Sequence, residues 1–345
     1  MRSLTRSKVF WPLVALVALL AVNVVARPGF LGVRMQDGHL YGSLIDILRN
    51  TSPILLVAIG MTLVIATRGI DLSVGALVAI AGAVACTQIA ASPTPGSAST
   101  VLIAIGTALL VCLVLGAWNG FLVSVVGIQP IIATLILMTA GRGIAMLVTG
   151  GQITTVNSPL YKSIGAGFLL TLPVSAIIAG VVLAATALLT RRTALGTLVE
   201  SVGINPEASR LAGVRARSII WTVYVFSALC AAIAGILISS NVTAADANNN
   251  GLWIELDAIL AVVIGGTSLM GGKFSLTGTL IGAFIIETLR ITVISLGIAP
   301  EVNLVFKAVV VILVCLLQSP VVQRKFRARR RAVAQEHGEA VEVVA

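Results

Sequence analysis

Histidine and charge are what this chain has least of. Two histidines, His39 and His337, in 345 residues leave no imidazole cluster for a metal centre or a catalytic relay. The four cysteines, Cys86, Cys112, Cys230 and Cys315, each stand alone inside an apolar run with no Cys-x-x-Cys pair. They read as small packing residues, with neither a disulfide framework nor a metal site. Charged residues make up 10% of the chain, against about a quarter in a soluble domain. A nucleotide loop is missing as well. The run Gly265–Lys273 ends Gly-Gly-Lys, but a phosphate-binding loop needs Gly-x-x-x-x-Gly-Lys-Ser/Thr, and here Thr267 stands for the first glycine and Phe274 for the hydroxyl residue. The segment reads instead as a close-packed break between two helices. Without a cluster of nucleophile, base or metal ligands, a membrane enzyme is not indicated.

What is present is apolar length. Hydrophobic residues are 58% of the chain and the mean hydropathy is +1.06. Against the ~20 residues needed to cross a bilayer, the spans fall at 9–26, 43–66, 73–91, 101–126, 130–148, 171–190, 218–240, 253–266, 276–297 and 300–318. The fold class is therefore all-α integral membrane, with about ten transmembrane helices (eight to ten), some of them broken. The run 253–266 is short enough to be re-entrant. The first span ends Val-Val-Ala like a signal peptide, but heading so many others it reads as a retained helix.

The net charge of +10 is concentrated rather than spread. Three basic residues lie in the N-terminal tail, five in 191–217 and six in 324–331. Basic clusters flanking apolar spans mark the cytoplasmic face, so the charge sets topology and does not indicate nucleic acid. Six spans separate the first cluster from the second and four the second from the third. Both numbers are even, which puts both termini and the loop 191–217 on the cytoplasmic side. The chain divides into a basic tail at 1–8, a transmembrane domain at 9–320 holding the loop 191–217, and a basic, disordered tail at 321–345. The last cluster can also meet anionic headgroups of the lipid bilayer.

Function must be read from the polar residues inside and between the apolar runs. Arg68-Gly-Ile-Asp71-Leu-Ser73-Val-Gly75 interrupts two runs with no room for a proper loop. Glycines 69 and 75 are expected to let the backbone break, with Asp71 and Ser73 bonding the freed amides. Irregular backbone at such depth survives only inside protein or beside a water-filled cavity, and broken helices often mark transport pathways. The structural alternative is a turn in which Asp71 caps the next helix and pairs with Arg68; both roles are compatible. Asn119, Thr134 and Arg142 complete the candidate pathway set. Glu255 and Asp257 enter an apolar run from the outer side. At spacing i, i+2 they face different ways on a helix, which argues against a catalytic dyad. Glu287 and Arg290, at i, i+3, can neutralise each other. Gly116/Gly120 and Gly278/Gly282 permit close helix contacts, within the chain or across a dimer interface. In the cytoplasmic loop, Asn205-Pro206 is a helix-start signal and Gly213 a stop, predicting a short helix 206–212 lying along the membrane.

The phrase Gly-Ile-Asp-Leu-Ser-Val-Gly at 69–75 resembles the signature of sugar-specific permease subunits of binding-protein-dependent ABC importers, the ribose and galactose group. The likeness runs from about residue 43 to 318. Gly203-Ile-Asn-Pro-Glu-Ala-Ser-Arg-Leu-Ala-Gly213 resembles that family's loop for docking the ATPase, which would make Gly203, Asn205, Pro206, Glu207, Ala208, Arg210, Ala212 and Gly213 the coupling helix and its flanks. The stretch Ala245–Gly266, with Leu135–Met138, Gly141–Gly143 and Gln152-Ile153, is similar to the galactofuranose-type permeases. Asn250 and Ser209 depart from the small apolar residues expected there. The resemblance implies a bacterial inner-membrane protein working by ATP-driven alternating access. Its partners would be a cytoplasmic ATP-binding subunit carrying the ATP and Mg, a periplasmic sugar-binding protein, and a second permease copy or paralogue. The chain itself would bind no cofactor and would not be an enzyme. Asp246, Asn248, Asn249, Trp253, Glu255 and Asp257 would lie at the binding-protein side or gate. The competing reading is an ion-coupled secondary transporter of a small polar solute, with Asp71, Glu255 or Glu287 as the ion site.

Overall fold

The computed structural model describes residues 10–36, 38–299, 302, 304–309 and 312. The sequence-predicted tails at 1–8 and 321–345, and most of the span 300–318, lie outside the described residues. Among the described residues twelve helices have both ends defined: α1 Phe10–Ala26, α2 Ser43–Ala66, α3 Val74–Ala91, α4 Ala98–Phe121, α5 Pro130–Thr149, α6 Pro159–Ala166, α7 Val174–Arg192, α8 Leu195–Ile204, α9 Pro206–Leu211, α10 Ala216–Val242, α11 Ile254–Ile264 and α12 Leu276–Ser295. A π-helical turn, Leu122–Val126, extends α4. The strands are three short antiparallel ladders: Arg34–Gln36 with His39–Tyr41, Thr154–Thr155 with Ala244–Ala245, and Phe168–Leu169 with Leu172–Pro173.

Seven of these helices (α2, α3, α4 with its π turn, α5, α7, α10 and α12) are long and apolar enough to cross a membrane. Apolar α1 has 17 residues. The expected span 253–266 is an 11-residue helix, α11, about 16 Å long and so half of a ~30 Å hydrocarbon core.

The interior is built on α2, α3 and α10. The most apolar windows of α2 and α3 are 78% buried, against 28% for α4 and α5 and 17% for α7, which form the periphery. Small residues let α10 sit against its neighbours. Its buried residues include Ser227, Ala228, Ala231, Ala232, Ala234, Gly235 and Ser239 beside larger Tyr224, Ile236 and Leu237, and small residues let helices approach closely where no water drives them together. Both glycine pairs flagged from sequence are used inside the chain. A Cβ on Gly116 would come 2.2 Å from the Cβ of Ala228, and one on Gly120 3.0 Å from Trp221. One on Gly282 would come 2.0 Å from the Ala261 carbonyl, and one on Gly278 equally close to that of Gly265. The seams are α4–α10 and α11–α12, so the alternative that either pair lies between two copies is set aside.

Candidate functional site

The interruption between α2 and α3 starts at exposed Arg68 and runs into the interior at Asp71. Helix α2 ends with the amide of Arg68 bonding the Ile65 carbonyl and that of Gly69 the Val64 carbonyl, the arrangement of a Schellman cap. Its left-handed position is filled by Arg68 (φ +64°), not by glycine. Gly69 and Gly75 therefore do not supply the backbone freedom expected of them; they supply space. A Cβ on Gly69 would lie 2.5 Å from the Tyr224 hydroxyl, and one on Gly75 2.2 Å from Oε2 of Glu255. An arginine in this conformation costs roughly 1–2 kcal/mol, and its side chain shows what offsets it. The guanidinium donates to the carbonyl of Ile204 and, at 3.2 Å, to that of Met270.

The predicted Arg68–Asp71 pair does not form. Asp71 is 1% exposed and turned inward while Arg68 faces out. Oδ1 of Asp71 accepts from the Ser73 amide at 3.1 Å and the Ser73 hydroxyl at 2.6 Å, and Oδ2 accepts from the Ser227 hydroxyl at 3.0 Å. Asn119 donates to the Ser73 hydroxyl at 2.9 Å. Thr134 accepts from the Leu72 amide at 3.1 Å. Three helices (α4, α5 and α10) thus grip the seven residues of the break. Ser227 stands 11 residues from the start of α10 and 15 from its end, about 16 and 22 Å at 1.5 Å per residue, which fixes the depth of the carboxylate.

The second interruption precedes α11. Arg142 on α5 donates to the carbonyls of Ala247 at 3.2 Å and Asn250 at 2.6 Å, which accounts for Asn250 through its backbone. Asp246 takes the amides of Asn248 and Asn249 and the Asn249 side chain at 3.0, 3.2 and 2.6 Å. The Asn249 side-chain amide holds the Asp246 carboxyl below the usual carboxylate range. Half-exposed Trp253 (φ +64°) turns the chain into α11. Glu255 is 3% exposed, and its Oε2 lies against Gly75 with no hydrogen-bond partner among the described residues. As the i, i+2 spacing implied, Asp257 points elsewhere, to Lys307 at 2.6 Å.

A third region lies at the opposite end of α10. Asn205 caps α9, accepting from the Ala208 amide at 3.0 Å, with Pro206 at the first turn. The helix stops one residue earlier than expected, and Gly213 (φ +84°) follows in the left-handed conformation. Glu207 and Arg210 pair at 3.1 Å on the open surface. Leu211 is 82% exposed, whereas Ser209 is buried and faces the bundle. The last turn of α8, just ahead of this helix, is bound tightly to the first break. A Cβ on Gly203 would come 1.8 Å from the Ala66 carbonyl and 2.7 Å from the Gly272 amide. The Gly272 amide itself donates to the Ala66 carbonyl at 2.8 Å. With the Arg68 bonds to Ile204 and Met270, the end of α2, the entry to α9 and the loop between α11 and α12 meet at one junction.

The profile of the family described as branched-chain amino acid transport system / permease component matches residues 43–315. The chain belongs to this permease family. The match begins at the first residue of α2, leaving α1 outside it. The permease is 53% identical over 315 residues to the galactofuranose transporter permease protein of Escherichia coli K12, covering 90% of each chain. It is 42% identical over 349 residues to the fructose import permease protein of Bifidobacterium longum NCC 2705, covering 96% of each. It is 37% identical over 311 residues to the ribose import permease protein of Escherichia coli K12, covering 89% of this chain and 92% of that one. No solved structure matches it. The family decides for the permease over the ion-coupled secondary transporter.

Of the residues singled out from sequence, the permease joins Asp71, Ser73 and Asn119 in one network, places Thr134 beside it, and sets Gly75 against Glu255. Arg142 serves the second break, and Arg68 the junction with α9. Sequence reasoning missed Ser227 and Tyr224 on α10, and the partnership of Asp257 with Lys307. A serine or tyrosine within a long apolar run was the available signal.

Proposed function

We propose that the permease is the membrane subunit of a binding-protein-dependent importer of a neutral monosaccharide, with galactofuranose foremost and fructose and ribose next. The observation that carries the sugar class is that three relatives named for sugars match nearly the full length of the chain. The scarcity of charge in the spans suits a hydroxyl-rich cargo that must pass without sticking.

The chain sits in the bacterial inner membrane with both termini cytoplasmic and ten crossings, one of them made by the irregular segment 246–253 together with the half-length α11; the tails 1–8 and 321–345 flank a transmembrane domain at 9–320. A cytoplasmic ATP-binding subunit, holding ATP and Mg, docks on α9, where exposed Leu211 and the Glu207–Arg210 pair offer an apolar contact beside charges. A periplasmic sugar-binding protein docks at the opposite end, near Asp246, Asn248, Asn249 and Trp253, and a second permease copy or paralogue completes the membrane unit. ATP-driven closure of the docked subunits shifts α9. Because Ile204, immediately before its cap, is bonded by Arg68, the shift reaches the end of α2 and the break at 67–73, and the path opens inward.

The test is mass spectrometry of the gently solubilised native complex, joined to uptake of radiolabelled sugars by vesicles holding the complete importer. A stoichiometric subunit with nucleotide-binding motifs and ATP-dependent uptake of one of the three sugars is the expected result. Uptake of branched-chain amino acids in preference to sugars would overturn the cargo class.

A further inference from the structure

At the end of the bundle away from α9, a cavity of about 290 Å³ opens between the first half of α2, the last turns of α10, residues 249–254 and α12. That is the small end of the ~300–1,000 Å³ range of ligand sites. Its lining is polar for a space between transmembrane helices. Arg49, Asn50, Asn241, Asp257, Glu287 and Arg290 all contribute.

The charges there are nearly spent on one another. Glu287 is paired with Arg290 at 2.6 Å and Asp257 with Lys307 at 2.6 Å. What is left unspent is hydrogen-bonding capacity. The Asn50 and Asn241 amides have no side-chain hydrogen bond among the described residues. Arg49 lies 4.8 Å over the Phe168 ring and makes one long bond, 3.4 Å, to the Ala166 carbonyl, while its buried Nε has no partner among the described residues. Unmet buried donors are costly, so such a group calls for an acceptor. Donors and amides in a space without strong net charge suit a neutral molecule dense in hydroxyls. The cavity also reaches the second interruption. Gly251 lines it, and a Cβ on Gly251 would come 2.7 Å from the Gly75 carbonyl at the start of α3.

We propose that this cavity is a monosaccharide-binding subsite inside each permease chain, in which Arg49, Asn50 and Asn241 bind ring hydroxyls on the outer side of the breaks. The proposal rests on the sugar-import reading and goes beyond it, since it places a sugar within one chain rather than between two copies.

The test is equilibrium binding of tritiated D-galactose, D-fructose and D-ribose to the full-length permease in nanodiscs, with glucuronate as the anionic competitor. Saturable binding of a neutral sugar is expected. It should weaken about tenfold or more in Arg49→Gln, the loss of a hydrogen bond to a charged group, and also in Asn241→Leu. In a Cys315→Ser background, Asn50→Cys should react with a polar maleimide and be protected by the same sugar; Cys86, Cys112 and Cys230 are buried. Wild-type affinity in both binding variants, lack of protection, or stronger binding of glucuronate than of any neutral sugar would each overturn the subsite. So would an isolated permease that binds none of the sugars its complete importer takes up, and that result would leave the importer reading standing. A complete importer that takes up none of them removes the reading and the subsite together.

Discussion

The segment 67–73 between α2 and α3, and the segment 246–253 with the first turn of α11, both bring a carboxylate into the interior of the bundle, yet they treat it in opposite ways. Asp71 is saturated, with three hydrogen bonds from Ser73 and Ser227 and further ties through Asn119 and Thr134. Glu255, just as deeply enclosed, leaves Oε2 without a partner among the described residues and touches the first turn of α3. A carboxylate held by three hydrogen bonds resists rearrangement, because every bond lost strands a buried group, even though Oδ1 of Asn119 beside it has no partner among the described residues. An unsaturated one has little to lose. The first break is therefore the more firmly held of the two, and the contact between Glu255 and Gly75 joins it to the second without a hydrogen bond from Oε2.

The sharpest way to break that contrast is Asp71→Ala. It strands the Ser73 amide and two hydroxyls, so the detergent-solubilised protein should lose about 3 kcal/mol or more of stability, read as a large drop in thermal midpoint with loss of uptake. Asp71→Asn keeps an acceptor for Ser73 and should retain most of the stability. Equal damage from both substitutions would show that charge, and not hydrogen bonding, holds the first break.

Gly75→Ala comes next. Its methyl would meet the Glu255 carboxylate at 2.2 Å and the Gly251 carbonyl at 2.7 Å, an overpacking worth about 1–3 kcal/mol. Adding Glu255→Ala should restore part of the thermal midpoint, since it removes the closer clash; a double variant no better than the single one would place the strain on Gly251 alone.

Arg68→Gly separates stability from coupling. Glycine accepts the left-handed conformation without penalty, so the thermal midpoint should hold or rise slightly. With the bonds to Ile204 and Met270 gone, sugar imported per ATP hydrolysed should fall several-fold in the reconstituted importer. Unchanged coupling would mean that the junction transmits nothing through Arg68. The smallest effect is expected of Glu255→Gln. With Oε2 unpartnered, the change in stability should stay within about 0.5 kcal/mol, the range of substitutions that remove no specific contact. A larger loss would show that the two carboxylates are not so different.

Much of this was legible in the sequence because it is local. Hydropathy places α2 at 43–66 and α12 from 276 to within two residues of its end, since a run long enough to cross a bilayer has few other ways to satisfy its backbone. Asn205, Pro206 and Gly213 mark α9 through capping rules that act within four residues. Long-range pairing was not legible. Arg68 and Asp71 are three apart and opposite in charge, yet one faces outward to backbone carbonyls and the other inward to a serine 156 residues away. Likewise Asp257 finds Lys307 across 50 residues, and the partners of both glycine pairs depend on which helices the fold sets side by side. Burial decides these choices, and periodicity in one chain segment carries no record of it.

The ion pairs of α12 and of Asp257 with Lys307 have an electrical consequence. An unpaired charge carried across the membrane exchanges about 2.3 kcal/mol with each 100 mV of potential. Glu287 with Arg290, and Asp257 with Lys307, travel as units of zero net charge, so their motion does no work against the field. These two pairs give the permease no means of drawing on the membrane potential of its cell or of draining it.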